Sequence, residues 1–73
     1  MNEQELKELL FRENAEFRRV HEDHQACEKA LEAIRGKLHL TPADADEERE
    51  LKKKKLALKD RMYRLMSDYS RTR

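Results

Sequence analysis

The chain has 73 residues, of which 45% are charged and 37% hydrophobic, and its formal net charge is +1. One Gly, one Pro and no Trp leave little from which to build a sheet, and this length excludes more than one domain, so we assign residues 1–73 to a single helical unit. Such short chains rarely bury enough apolar surface to be stable alone.

The single cysteine, Cys27, excludes an internal disulfide and is typical of a reducing compartment. The start of the chain, residues 1–5, is acidic and lacks the basic and apolar regions of a secretory signal. No apolar stretch approaches the roughly 20 residues that span a bilayer. We therefore expect a cytoplasmic protein that does not bind a membrane and that gains stability from self-association or from a partner.

A first helical segment is predicted over residues 3–12. Asn2 is a suitable N-cap, Glu5 stands at the third helical position, and leucines 6, 9 and 10 give the segment an apolar side. Asn14 can cap a new helix, so both a bend and a continuous helix are open at this point.

The second segment, residues 15–35, carries an apolar stripe with alternating steps of three and four, which is the seam of helix-on-helix packing. Gly36 predicts the helix end, in a left-handed conformation. The members of the stripe are Phe17, Val20, His24, Cys27, Leu31, Ile34 and Leu38.

After a connection over residues 36–41, a third segment is predicted over 42–69. Thr41 is its cap, Pro42 its first residue, and Asp44 stands three residues after the cap. Its stripe has the same spacing as the second segment and consists of Leu51, Lys55, Leu58, Met62, Leu65 and Tyr69.

These segments predict an all-α, coiled-coil-like antiparallel hairpin of two helices, with the first segment covering Leu65 and Tyr69 through Leu6 and Leu10. Residues 1–33 carry nine acids and five bases, whereas residues 47–73 carry five acids and ten bases. Opposite charges on the two helices favour their pairing and act on register more than on stability.

The predicted interaction seam combines apolar anchors with two polar residues, His24 and Lys55, which fall in the same layer. A polar layer of this kind often fixes register or oligomer state at some cost in stability. The seam residues are Phe17, Val20, His24, Leu31, Ile34, Leu51, Lys55, Leu58, Met62 and Leu65.

Catalytic and metal chemistry have little support in this sequence. His21, His24 and Cys27 are spaced by three and lie near Glu28, but only three good zinc ligands come together. Cysteine and histidine on one helix, with no third orienting group and no Gly-rich loop, do not make a nucleophilic site. We expect no enzyme activity, no catalytic residue, no metal and no cofactor.

A nucleic-acid role is the alternative interpretation, with Lys52, Lys53, Lys54 and Lys59 as contacts. Phosphate contacts would be rewarded by counterion release. However, consecutive lysines spread around a helix, the net charge is only +1, and no aromatic residue is interleaved with the lysine run. A solvated, salt-bridged face is the simpler interpretation.

The residues from Glu13 to Phe17, His24, and the stretch from Leu51 to Met62 resemble the YdcH-like family of small bacterial proteins of unknown function. The similarity covers roughly Leu6 to Met66. It implies a bacterial, cytosolic two-helix hairpin and supplies no activity, cofactor or catalytic residue. His21 and Cys27 are outside the family pattern, and the connection around residues 41–46 departs from its Gly-rich form.

The sequence thus predicts a helical-hairpin module for protein–protein interaction or self-association. A homodimer that forms a four-helix arrangement is favoured, and a helical protein partner is the other candidate. The alternative is a nucleic-acid-associated regulator that uses the basic third segment.

Overall fold

A computed structural model of the chain describes residues 2–71. Three helices account for most of them, α1 over Glu3–Glu13, α2 over Ala15–Arg35 and α3 over Pro42–Arg71, and residues 2–71 contain no strand. The predicted unit 1–73 also includes residues 1, 72 and 73, which lie outside the described residues. The bounds of α2 coincide with the predicted 15–35, whereas α1 and α3 run past residues 12 and 69, where their predicted segments end.

Side-chain caps begin all three helices. The Oδ1 atom of Asn2 accepts a hydrogen bond from the Glu5 backbone N–H at 2.8 Å. At the start of α3 the Asp44 N–H donates to the Thr41 hydroxyl oxygen at 3.1 Å, and the Thr41 N–H donates to the Asp44 carboxylate at 3.0 Å. The predicted capping box of α3 is therefore confirmed, with two helix-end donors satisfied reciprocally.

Asn14 separates α1 from α2, so the chain bends here and does not continue as one helix. Its extended backbone (φ −118°, ψ 109°) cannot continue a helix, and its N–H donates to the Leu10 carbonyl at 2.8 Å. Its side chain accepts from the Phe17 N–H at 3.0 Å and so caps α2. Arg18 fixes the bend further, because its guanidinium donates to the carbonyls of Phe11 and Arg12, at 3.0 and 3.1 Å, which lie in the last turn of α1.

The end of α2 differs from the prediction in two respects. Gly36 has φ −78° and ψ −9°, so the expected left-handed conformation is wrong, and the chain leaves the helix through a right-handed turn. An added Cβ there would meet the Glu32 carbonyl oxygen at an ordinary 3.4 Å. Leu38 lies beyond the helix, where the helical period no longer orients it, and is 92% exposed. The apolar stripe of α2 therefore ends at Ile34.

Ion pairs join α2 to α3 along their length. Arg35 lies 3.8 Å from Glu48 and Glu28 lies 2.9 Å from Lys55, while Glu16 pairs with Arg61. Residues progressively earlier in α2 thus meet residues progressively later in α3.

One buried cluster contains residues from all three helices. Leu10 of α1 and Phe17 of α2, both 0% exposed, pack with Met62 and Met66 of α3. Leu6, Val20, Leu65 and Tyr69 pack around this cluster as partly buried neighbours. The prediction that α1 covers the far part of α3 is therefore confirmed.

The remaining buried apolar residues lie along α2 toward the connection, and they are Cys27, Leu31 and Ile34. No helix among the described residues is long and apolar enough to cross a membrane.

A second contact ties the connection to α3. The Lys37 ammonium donates to the Asp44 carboxylate at 2.7 Å, while the other carboxylate oxygen accepts from the Thr41 N–H. The hydrogen bond from Lys37 and then that from Thr41 lower the pKa of Asp44 from 3.8 to about 2.

Asp44 should therefore make folding sensitive to acid. Because its pKa is lower in the folded chain than in the unfolded chain, its contribution is complete above about pH 4 and is lost as the pH falls toward 2. In urea titrations at several pH values, Asp44→Asn should destabilise the protein at pH 7 and much less at pH 2. Asp46→Asn, an exposed neighbour, is the control. A pH-independent difference between wild type and Asp44→Asn would contradict this assignment.

Candidate functional site

The ten residues of the predicted seam all lie wholly or partly out of solvent. Four are buried, namely Phe17, Leu31, Ile34 and Met62. Six are partly buried, namely Val20, His24, Leu51, Lys55, Leu58 and Leu65. Of these ten residues, the structure packs Phe17, Val20, Met62 and Leu65 into one cluster with Leu10 and Met66.

Three buried side chains were missing from the ten-residue seam. Cys27 is 3% exposed and belongs to the stripe of α2, so the spacing already contained its signal. Met66 lies one helical turn after Met62 and is 6% exposed. It takes the buried position predicted for Leu65, which is more exposed. Leu10 is buried because α1 folds back, which the spacing of α2 and α3 does not encode.

A polar layer interrupts this seam near its middle, and we call His24, Glu28 and Lys55 the His24 layer. The Lys55 ammonium reaches across from α3 and lies 2.9 Å from the Glu28 carboxylate. The predicted pair of His24 and Lys55 therefore has a third member, Glu28, which sits one turn after His24. Its position four residues from His24 was the available signal.

The electrostatics of the layer keep its members in defined charge states. Burial lowers the pKa of His24 below 6.5; the Glu28 carboxylate opposes this lowering and the Lys55 ammonium adds to it. The hydrogen bond from Lys55 lowers the pKa of Glu28. At neutral pH the layer thus combines a neutral imidazole with an ion pair.

His24 also carries an unsatisfied atom. Within residues 2–71 its Nε2 is buried and has no hydrogen-bond partner. A buried polar atom without a partner typically costs about 1–3 kcal/mol. The unpaired Nε2 is therefore a cost to the stability of the seam.

Two open grooves border the His24 layer and share Lys7, His24 and Met62. The larger, about 720 Å³, lies between α1 and α2, where the Phe11 and His21 rings meet edge to face with 5.3 Å between centroids. The smaller, about 140 Å³, is lined by Lys55, Lys59 and Tyr63 of α3.

The histidines and the cysteine do not converge on one point. His21 and His24 line the larger groove, whereas Cys27 is buried in the seam. In the part of the chain that the structure describes, no group of three or more His, Cys, Asp or Glu side chains could hold a metal ion.

The four lysines of the nucleic-acid interpretation are exposed, and two of them form ion pairs. Lys52 lies 3.3 Å from Glu48, and Lys53 lies 3.9 Å from Glu50. Lys54 and Lys59 point to solvent on different sides of α3, since five residues correspond to about 500° of helix rotation. The lysines therefore do not form one continuous phosphate-binding patch.

Large apolar side chains also remain outside the core. Leu56 is 61% exposed and Tyr63 46% exposed, both on α3, and Phe11 of α1 is 37% exposed. Leu56 and Tyr63 are seven residues apart, so they share one face of α3. This face adjoins the one that packs on α2, because Tyr63 lines the smaller groove together with His24 and Glu28.

Comparisons with known proteins give one match. Residues 17–66 match a family model described as a protein of unknown function, DUF465. No curated protein and no solved structure gives a significant match. The matched stretch contains the whole His24 layer, all ten residues of the seam and the connection.

Leu58 and Leu56 provide a matched test of the seam. Leu58 lies on the seam and is partly buried, so Leu58→Asp should cost about 2 kcal/mol or more and abolish both helicity and assembly. Leu56→Asp introduces the same charge at an exposed position and should leave the far-UV circular dichroism spectrum and melt unchanged. An unaltered melt for Leu58→Asp would show that the seam is wrongly assigned.

Proposed function

We propose that this chain, which belongs to the DUF465 family of proteins of unknown function, is a protein–protein interaction module that self-associates. It acts by binding, without catalysis and without a cofactor. A dimer that forms a four-helix arrangement is favoured, and docking on a helical partner is the related mode.

The proposed architecture is a coiled-coil-like antiparallel hairpin of α2 and α3, with α1 folded over its open end. The ion pairs of Glu28 with Lys55 and of Arg35 with Glu48 support this arrangement. The YdcH-like resemblance is part of the proposal, because the matched residues 17–66 fall within the stretch that carries it. On the same basis we place the protein in the bacterial cytoplasm, where the single free Cys27 would stay reduced.

The main support for the proposal is that the chain exposes more surface than a compact monomer of its mass. A compact monomer of 8.8 kDa should expose about 4,800 Å², whereas this chain exposes 5616 Å². The difference, about 800 Å², is of the same order as the area that each partner buries in a protein interface of standard size. The elongated shape, 49 × 20 × 16 Å, distributes this surface along the helices.

The small core points the same way. Only seven apolar residues are buried among those that the structure describes. Cores of chains below about 70–80 residues rarely contribute more than about 3–5 kcal/mol of stability, and oligomerisation is a common supplement. Association would cover part of the apolar surface that α1, α2 and α3 leave open.

The positions of the lysines do not support the nucleic-acid alternative. Lys52, Lys53 and Lys55 each lie within 4.0 Å of a carboxylate, so their charges are partly neutralised. Specific contacts of the basic helix with phosphates would have to replace these pairs.

Sedimentation equilibrium over a wide concentration range tests self-association. We expect a species of twice 8.8 kDa, and a melting temperature that rises with protein concentration because association stabilises only the folded state. A fully helical monomer at every concentration would overturn the proposal. Leu56→Asp should still fold. If its sedimenting mass falls while its circular dichroism spectrum is unchanged, association has been lost without loss of the fold.

A further inference from the structure

The outward side of α3 carries a second seam. Its members recur with steps of three, four, three and four, the spacing of a coiled-coil stripe. Two of them, Lys59 and Tyr63, border the smaller groove beside His24 and Glu28 of α2. We call them the outer seam of α3: Arg49, Lys52, Leu56, Lys59 and Tyr63.

The outer seam combines two apolar anchors with three cations. Leu56 and Tyr63 leave 61% and 46% of their surface in solvent, the largest apolar exposures on α3. Side chains of this kind are typical anchors of a helix interface, where a flat or grooved face receives an amphipathic helix.

The outer seam of a second copy does not fit the outer seam of the first. In a parallel pair of outer seams, Lys52 and Lys59 would each face the same lysine of the other copy. In an antiparallel pair centred on Leu56, Lys52 would face the region of Lys59 in the other copy. Like charges across such an interface are unfavourable in both orientations.

We infer that the outer seam of α3 binds an acidic amphipathic helix of a different protein. Its apolar side chains would pack on Leu56 and Tyr63, and its carboxylates would pair with Lys52 and Lys59. The span from Arg49 to Tyr63 is about 21 Å, which corresponds to about four turns of partner helix. This inference rests on the proposed interaction function but not on self-association.

The cations are available for such a partner. Arg49 is held by an exposed pair with Asp46 at 3.0 Å, and Lys52 by a pair at 3.3 Å with the partly buried Glu48, which also pairs with Arg35 of α2. An exposed pair such as that of Arg49 contributes little stability, so exchanging it for a carboxylate of a partner costs little. Lys59 borders the smaller groove beside Tyr63, which places a positive charge next to an apolar anchor.

Fluorescence anisotropy with a designed peptide tests this inference. The probe is a labelled helical peptide of about 20 residues with Leu at the a and d positions and Glu at the flanking positions. We expect salt-sensitive binding to the full chain, and much weaker binding of a peptide with the same composition in scrambled order. Equal binding of the two peptides would overturn the inference, since charge alone would then explain it.

Matched variants locate the binding face. Lys59→Glu and Leu56→Ser should each weaken binding about fivefold or more. Lys54→Glu reverses a lysine on another side of α3, and Leu38→Ser alters a leucine that is exposed in the connection, so neither should matter. Circular dichroism of each variant checks that the fold is kept.

Other polyanions provide the remaining outcomes. Tighter binding to a single-stranded oligonucleotide or to anionic lipid vesicles than to the peptide would overturn the inference in favour of those partners. A chain that dimerises in the ultracentrifuge but ignores the peptide would refute this inference alone. A monomeric chain that binds the ordered peptide would refute only self-association.

Discussion

The burial of Phe17 is the contact on which the three helices depend. Its ring is fully removed from solvent between Leu10 of α1 and the methionines Met62 and Met66 of α3. The break at Asn14 allows this, because it caps α2 at the Phe17 N–H while turning α1 back. Without that bend, Leu10 could not lie over α3, and Leu65 and Tyr69 would lose their cover.

Because the core is small, most side chains of the chain lie on its surface. The His24 layer lowers stability near the middle of the seam. There a neutral imidazole with a buried, unpaired Nε2 lies beside the pair of Glu28 and Lys55. The pair of Glu28 with Lys55 joins α2 to α3 at this layer.

Local signals in the sequence were sufficient for most of the fold. Caps at Asn2 and Thr41 depend on residues three positions apart, so the helix starts could be predicted from neighbours alone. Gly36 and Leu38 were misjudged because the exit of the chain from α2 depends on the following turn and not on helical periodicity. The burial of Met66 in preference to Leu65 arises from contacts between helices, which spacing within one helix does not reveal. The cover by Leu10 was predicted, and the spacing of Glu28 four residues after His24 was a signal that the prediction did not use.

Nuclear Overhauser contacts from the methionine methyl groups test the central arrangement most directly. Selective ¹³C labelling of methionine methyls would isolate Met62 and Met66 among only three methionines in the chain. If the three helices pack around Phe17, both methyls will show contacts to the Phe17 ring and to Leu10. Contacts from these methyls to Leu31 or Ile34 instead, or none to α1, would show a different register and contradict this packing.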